Sequence, residues 1–125
     1  MNVPKELRYT PSHEWVRVEG EIATIGITDY AQSELGDVVY VDVPSPGRVL
    51  RAGESLGSIE SVKTVSEIYA PVDGEVVEAN AALGARSELV NEDPYGKGFL
   101  VKIKMANADS VGNLLTPEAY SALES

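Results

Sequence analysis

The sequence predicts a small, mainly β domain with a few short helices, one of them at the C-terminus. Turn-forming residues recur at short intervals, and the stretches between them are rich in β-branched and aromatic residues. One of these stretches, residues 99–105, alternates its side chains as a half-buried strand does. A chain of 125 residues buries one hydrophobic core and little else, so we expect residues 1–125 to form a single domain.

The N-terminal part predicts a hairpin followed by a short helix. Strands are expected over residues 15–18 and 22–27, joined by the turn residues Glu19-Gly20-Glu21. Thr28 is placed to cap a helix over residues 29–35, because its side chain can accept a hydrogen bond from the first helical turn. Gly36 is placed to end that helix, since glycine adopts a left-handed conformation without a steric cost.

The remaining strands are read from apolar stretches between turn signals. They are expected over residues 38–43, 48–50, 54–62, 64–69, 75–79 and 99–104. In the last of them, the alternation places Phe99, Val101, Ile103 and Met105 on one face and two lysines on the other.

The C-terminal segment predicts a helix. Pro117 stands at its first position, where the missing N–H of proline has no cost. We expect Tyr120 and Leu123 to pack this helix on a sheet.

A short internal echo relates the two halves of the chain. Gly36-Asp37-Val38-Val39 is matched by Gly74-Glu75-Val76-Val77, and Lys63 lies between the two copies. The echo is too short to establish a repeat. It supports a flattened β-sandwich or barrel-like hybrid built from two similar halves.

Charge and composition exclude several classes of function. The formal net charge of −10 repels phosphate backbones, which argues against nucleic acid and favours partners with basic docking surfaces. The chain has no Cys, so it can form neither a disulfide framework nor a zinc-thiolate site, and sulfur redox chemistry would need an attached group.

Neither a membrane nor a secretory destination is expected. No stretch approaches the ~20 apolar residues of a membrane span. The segment that follows Met1 lacks the apolar region of a secretory signal. These features predict the bacterial cytoplasm, with a processed form in the mitochondrial matrix as the alternative.

Lys63 is expected at the tip of a turn between two strands. An amine at such a tip, flanked by small or branched residues, can enter the active site of another enzyme and be acylated. The alternative is a solvated charge that keeps a sheet edge soluble.

No set of residues supplies a nucleophile, a base and oxyanion donors together, so the chain is not expected to be an enzyme. His13 is the single histidine, and without a triad partner it is expected to make structural hydrogen bonds. One imidazole cannot form a zinc site, and the acidic residues show no calcium-loop pattern, so no metal is expected.

Four segments together resemble the glycine cleavage system H proteins. They appear in that family's order and spacing, and the resemblance extends over about residues 7–120. The segments are residues 7–16 (LRYTPSHEWV), 23–32 (ATIGITDYAQ), 60–66 (ESVKTVS) and 90–96 (VNEDPYG).

The resemblance implies a carrier that holds lipoic acid in amide linkage to Lys63, with Glu60, Ser61, Val62 and Thr64 forming the attachment segment. It also implies the fold of lipoyl and biotinyl carriers, a barrel-sandwich hybrid with the modified lysine on an exposed hairpin.

A sheltering cleft for the loaded arm is implied at the positions that match Ser12, Glu14 and Glu67. Glu67 stands where this family commonly has Asp, so its reach differs by one methylene. For Glu14, the sequence leaves open a surface acid at the start of a strand.

The reaction implied by the resemblance is a relay between enzymes. The carrier takes an aminomethyl group from the pyridoxal-phosphate glycine decarboxylase (P protein) to the tetrahydrofolate-dependent aminomethyltransferase (T protein). Dihydrolipoyl dehydrogenase (L protein) then reoxidises it, and separate lipoyl-attaching enzymes load it. A monomer is expected.

Other carriers and a non-carrier module remain as alternatives. Biotin acceptors usually have methionines beside the lysine, where this chain has Val62 and Thr64. Lipoyl domains of 2-oxoacid dehydrogenases usually have Asp before the lysine and lack the entry segment over residues 9–27. An H-like protein that relays lipoyl groups needs the same lysine and hairpin, so the sequence does not separate it from the glycine-cleavage carrier. A β-domain that acts as an interaction module would leave Lys63 unmodified.

Overall fold

The computed structural model describes residues 2–124. Within them, nine strands form two antiparallel sheets. The strands are β1 (Arg8–Tyr9), β2 (Glu14–Glu19), β3 (Ile22–Ile27), β4 (Val38–Asp42), β5 (Val49–Leu50), β6 (Ser55–Ser61), β7 (Val65–Tyr69), β8 (Gly74–Ala79) and β9 (Val101–Met105). The helices are α1 (Asp29–Leu35), α2 (Leu89–Glu92) and α3 (Pro117–Glu124), with 3-10 turns at Ala81–Gly84 and Ala108–Asn113.

The two sheets share a buried hydrophobic cluster, which is separate from a second buried cluster around Tyr9 and Tyr120. The larger sheet has the strand order β1-β2-β3-β9-β8-β5, and the smaller has the order β4-β6-β7. Ile25 and Ile103 from the larger sheet lie in the same buried cluster as Ile59 and Ile68 from the smaller one. The mainly β prediction is therefore confirmed, as is the sandwich of two sheets.

Helix α1 begins and ends where the sequence predicts. The Thr28 side chain accepts a hydrogen bond from the backbone N–H of Ala31 at 3.2 Å. Gly36 has φ 78° and donates its N–H to the Gln32 carbonyl at 3.0 Å. These two caps fix both ends of the helix, and its residue Leu35 is buried.

The internal echo has a structural counterpart in two bulges. The pairing of β4 with β6 shifts register at Val39, and the pairing of β8 with β9 shifts at Val77. In both copies the preceding valine, Val38 or Val76, is buried while the valine at the shift is exposed. An extra residue on one strand increases the local twist, so the same irregularity bends both sheets.

For the last strand, the predicted division into buried and exposed residues was correct, and the predicted first residue was wrong. Val101, Ile103 and Met105 are buried, as the alternation indicates. The strand begins only at Val101, so Phe99 lies outside it and Leu100 is also fully buried. Leu100 does not follow the alternation, because it lies before the first residue of the strand.

The C-terminal helix is confirmed, but only one of its two predicted anchors is buried. Tyr120 is fully buried and stacks on Tyr9, with ring centroids 4.7 Å apart. Leu123 is 54% exposed, so its predicted packing was wrong. The helix contacts β1, which has only two residues. A strand of that length is too short to cover Leu123 in the next turn of the helix.

Sequence reasoning missed four short elements. Strand β1 was not predicted, and it is held between β2 and residue Leu115, whose backbone exchanges two hydrogen bonds with Tyr9. Helix α2 and both 3-10 turns were also missed, because elements of four to six residues give no readable periodicity. Among residues 2–124, no helix is long and apolar enough to cross a membrane.

Candidate functional site

Lys63 lies at the tip of the hairpin that joins β6 to β7. The tip is a tight turn organised by Ser61, which is itself buried. The Ser61 hydroxyl accepts hydrogen bonds from the backbone N–H groups of Lys63 at 3.3 Å and Thr64 at 3.2 Å. The Ser61 N–H donates to the Thr64 carbonyl at 2.8 Å. Ser61 therefore fixes the backbone of the turn, while the side chains of Val62 and Lys63 are exposed.

The tip also rests on the segment that follows α1. The backbone N–H of Val62 donates to the Asp37 carbonyl at 3.0 Å. A Cβ atom placed on Gly36 would lie 3.5 Å from Cε of Lys63, so the lysine stem passes over the end of the helix. The lysine therefore emerges from a braced turn and not from a loose loop.

A cleft of about 400 Å³ lies between α1 and β7. Thr64 lines it beside the lysine, and Ser12 lines it at the N-terminal segment. Its walls combine apolar side chains, among them Ile27, Leu35 and Ile68, with polar ones. The cleft therefore offers a partly apolar space next to the hairpin tip, with hydroxyl groups at its margin.

Glu14 is buried beneath this cleft, with only 1% of its surface exposed. Its carboxylate accepts hydrogen bonds from the hydroxyls of Thr10 at 2.5 Å and Ser12 at 2.6 Å, and from the backbone N–H of Tyr69 at 3.3 Å. Burial raises the pKa of Glu14, and these hydrogen bonds oppose the shift. The alternative of a surface acid at the start of a strand was wrong.

The structure brings Ser12 and Glu14 together but places Glu67 elsewhere. Ser66 and Ile68 line the cleft, whereas Glu67, between them on β7, does not. Its exposed side chain accepts a hydrogen bond from the Ser55 hydroxyl at 2.5 Å. A residue between two cleft-lining residues of a strand faces the opposite side of the sheet.

Glu60, on β6, and Thr64, just before β7, flank the tip of the hairpin. Glu60 is exposed, and it pairs with Tyr40 on one side and Val65 on the other. Tyr40 and Val65 are 59% and 62% exposed. An acidic side chain between two exposed apolar ones thus stands beside the attachment turn.

Sequence reasoning missed the contribution of α1 to the cleft. Tyr30 and Glu34 both line it, and the signal that was available is their spacing of four residues, which places two side chains on one helix face. His13 makes the structural hydrogen bond expected of it, with Nδ1 2.7 Å from the Tyr120 hydroxyl. His13 has φ 73°, and its ring packs against that of Tyr30 at 4.7 Å.

The motif over residues 90–96 also makes hydrogen bonds to the elements that form the site. Tyr95 accepts a hydrogen bond from the backbone N–H of Asp29 at 2.9 Å, at the start of α1. The indole of Trp15 donates to the Pro94 carbonyl at 2.9 Å. Among the described residues, no group of three or more His, Cys, Asp or Glu side chains is arranged to hold a metal ion.

Comparison with known proteins decides the family. The model of the glycine cleavage H-protein family matches residues 7–125. The chain belongs to this family. It is 56% identical to a glycine cleavage system H protein from Bacteroides fragilis over 123 residues, which cover 98% of both chains. It is 58% identical to one from Geobacillus kaustophilus, covering 98% of this chain and 97% of the relative.

A solved structure of an H protein shows the same fold. The crystal structure of a glycine cleavage system H protein from Mycobacterium marinum superposes with a TM-score of 0.90 at 38% identity, covering 98% of each chain. The predicted lipoyl-carrier fold is therefore confirmed. H proteins are lipoyl carriers of the glycine cleavage system and are not catalysts themselves, and this member of the family has that role.

Proposed function

We propose that Lys63 carries lipoic acid in amide linkage and that the cleft beside it shelters the group that the arm transports. The observation that carries the proposal is the position of Lys63, whose side chain is exposed at the tip of a hairpin braced by Ser61 and Asp37. A rigid tip with an exposed amine satisfies both requirements of a swinging arm, access for an attaching enzyme and a fixed anchor. Tethering then raises the local concentration of the arm at each partner without any additional contact.

The residues at Lys63 fit the arm. Val62 and Thr64, its neighbours, are both exposed, so they leave the amine open to an acylating enzyme. The cleft begins at Thr64, next to the point where the arm would leave the backbone. When attached, lipoic acid would supply the disulfide that opens as the aminomethyl group is taken up, and release of that group would leave the dithiol that is reoxidised.

Ser12, whose hydroxyl is bonded to Glu14, supplies part of the polar lining of the cleft. Ser12 donates its hydroxyl proton to Glu14, which leaves the lone pairs of the Ser12 oxygen available as acceptors at the cleft margin. A buried carboxylate behind that hydroxyl favours a positively charged group in front of it, because attraction between charges is stronger where water is excluded. The two residues thus hold an ammonium group at the cleft margin and limit its access to water.

The partners follow from this role. The P protein loads the carrier, the T protein unloads it, the L protein reoxidises it, and a lipoyl-attaching enzyme acts once on Lys63. The net charge of −10 suits partners with basic docking surfaces. We propose that residues 1–125 form one carrier domain that acts as a monomer in the bacterial cytoplasm, in line with the bacterial relatives.

Intact mass spectrometry of the natively produced protein, followed by peptide mapping, tests the attachment. The expected result is a mass increase by one lipoyl group, located on the peptide that contains Lys63. A natively produced protein without that increase, or with the group on another lysine such as Lys97, would contradict the proposal.

A further inference from the structure

The side chain of Asn91 lies at the junction between α1, β4 and the hairpin that carries Lys63. Asn91 is on the short helix α2 and is half-buried. Its amide nitrogen donates to the carbonyl of Gly36 at 2.8 Å and to the side-chain oxygen of Gln32 at 3.1 Å. Its amide oxygen accepts the backbone N–H of Val38 at 2.9 Å. One side chain therefore holds both peptide groups that flank Asp37.

The peptide group between Asp37 and Val38 connects Asn91 to the lysine turn. The N–H of this peptide group belongs to Val38 and donates to the side-chain oxygen of Asn91. Its carbonyl belongs to Asp37 and accepts the N–H of Val62 at 3.0 Å. A peptide unit is planar and trans, so its N–H and C=O point in opposite directions and turn together. Asn91 thereby sets the direction of the acceptor that holds Val62, one residue before Lys63.

We propose that Asn91 is a positioning residue for the acylation of Lys63. It acts through the 37–38 peptide, which it orients so that the turn presents Lys63 in one conformation to the attaching enzyme. Hydrogen bonds linked through one peptide also polarise one another, so loss of the first weakens the second. This inference rests on the proposed attachment of lipoic acid at Lys63.

A matched control exists in Asn80. Its side chain also makes three hydrogen bonds, all of them to backbone groups, donating to the carbonyls of Lys97 and Phe99 at 2.7 Å each and accepting the N–H of Ala82 at 3.2 Å. None of these groups belongs to the hairpin of Lys63. Asn80→Ala therefore removes a comparable set of bonds and leaves the 37–38 peptide unchanged.

The first measurement is the hydrogen exchange of single backbone amides by NMR, on the unlipoylated protein. In Asn91→Ala, the Val62 amide is expected to exchange about tenfold faster than in the parent, because its acceptor is no longer held in place. The Ser61 amide, bonded to the Thr64 carbonyl within the turn, serves as an internal reference and is expected to change little. Asn80→Ala is expected to leave Val62 unchanged.

The second measurement is the rate at which a lipoate ligase modifies each protein. We expect kcat/KM to fall about fivefold in Asn91→Ala, the ratio that loss of one ordinary hydrogen bond gives, and to stay at the parent value in Asn80→Ala. If Asn91→Ala does not fold, Asn91→Asp keeps the acceptor for Val38 and removes the donor to Gly36. Because the 37–38 peptide keeps its acceptor, Asn91→Asp is expected to leave both readouts near the parent values, and Val62 exchange about tenfold faster in this variant would overturn the role of that peptide.

The outcomes separate the two proposals. Equal Val62 exchange in the Asn91 and Asn80 variants would overturn the positioning role, as would faster exchange with an unchanged rate of lipoylation. A parent protein that the ligase does not modify at Lys63 would instead overturn the proposed function. The exchange measurement needs no lipoic acid, so it reports on the Asn91 linkage in either case.

Discussion

The carboxylate of Glu14 accepts a hydrogen bond from the backbone N–H of Tyr69 at 3.3 Å. Glu14 begins the second strand of the larger sheet, and Tyr69 ends the strand that leads away from Lys63. One buried carboxylate thus links the two sheets next to Ser12, which lines the cleft. A change at Glu14 is expected to affect the packing of β7 as well as the polar margin of the cleft.

Lys63→Arg is expected to abolish lipoylation and glycine cleavage while leaving the fold intact. Arginine keeps the positive charge, but its guanidinium is not acylated. A substitution at an exposed turn changes the free energy of unfolding by only about 0.5 kcal/mol. Intact mass, a reconstituted glycine cleavage assay and a denaturant titration measure these three results. Lys97→Arg, at another exposed lysine, is the control and should be lipoylated; cleavage by the Lys63 variant would refute the assignment.

Glu14→Ala is expected to leave lipoylation unchanged and to make the loaded arm lose its aminomethyl group faster. The variant removes the carboxylate that orients the Ser12 hydroxyl at the cleft margin. The decay of the loaded protein is followed by mass spectrometry after removal of the P protein. Glu67→Ala is the comparison, and parent-like decay is expected there because Glu67 is bonded to Ser55 on the other face of the sheet. Indistinguishable decay in the Glu14 variant and the parent would remove Glu14 from the sheltering role.

The buried carboxylate also predicts a pH dependence of stability. Burial raises the pKa of Glu14 above its ordinary 4.5, so the folded protein binds this proton more tightly than the unfolded chain does. The free energy of unfolding that Glu14 contributes therefore falls as the pH rises from 4.5 through the higher pKa of the folded state. Denaturant titrations across this range should show the parent losing stability relative to Glu14→Gln.

Asp29 gives the control of opposite sign. A hydrogen bond from the backbone N–H of Asn2 lowers the pKa of Asp29, and one from the Gln32 side chain adds to the effect. Stability from Asp29 is therefore present above its ordinary pKa of 3.8 and is lost as the pH falls through the lower value. Relative to Asp29→Asn, the parent should gain stability with rising pH, and slopes of the same sign for both pairs would contradict this account.

Ser61→Ala is expected to destabilise the protein by about 1–2 kcal/mol, since it leaves two backbone N–H groups of the turn without their acceptor. Ser55→Ala, at an exposed serine of the same strand, should stay within about 0.5 kcal/mol of the parent. Chemical denaturation monitored by the fluorescence of Trp15 measures both. A loss in Ser61→Ala no larger than in Ser55→Ala would show that the hydroxyl does not organise the turn.

The sequence predicted the elements whose cause is local. Helix α1 was placed at its observed bounds because Thr28 and Gly36 mark both ends, and the faces of β9 follow from strict alternation. The burial of Glu14 was not predictable in this way. One of its hydrogen-bond partners, the backbone N–H of Tyr69, is 55 residues away in the sequence. The other two are hydroxyls that precede it, and their spacing alone does not indicate a buried carboxylate. Nothing in the spacing of Asn91 indicates that it would hold the peptide beside the lysine turn, since that relationship exists only after the two sheets have packed.

The turn at the hairpin tip contains no residue in the left-handed conformation, since His13 is the one non-glycine residue with positive φ among residues 2–124. Backbone geometry thus makes no demand for Gly or Asn at positions 62 and 63, and a β-branched valine stands there without strain. The Val62 side chain is 68% exposed, so the fold constrains this position mainly through the N–H that is bonded to Asp37. Selection on the side chain at position 62 acts through the enzymes that bind the Lys63 turn. The range of residues tolerated at position 62 therefore measures how specifically such an enzyme recognises the turn.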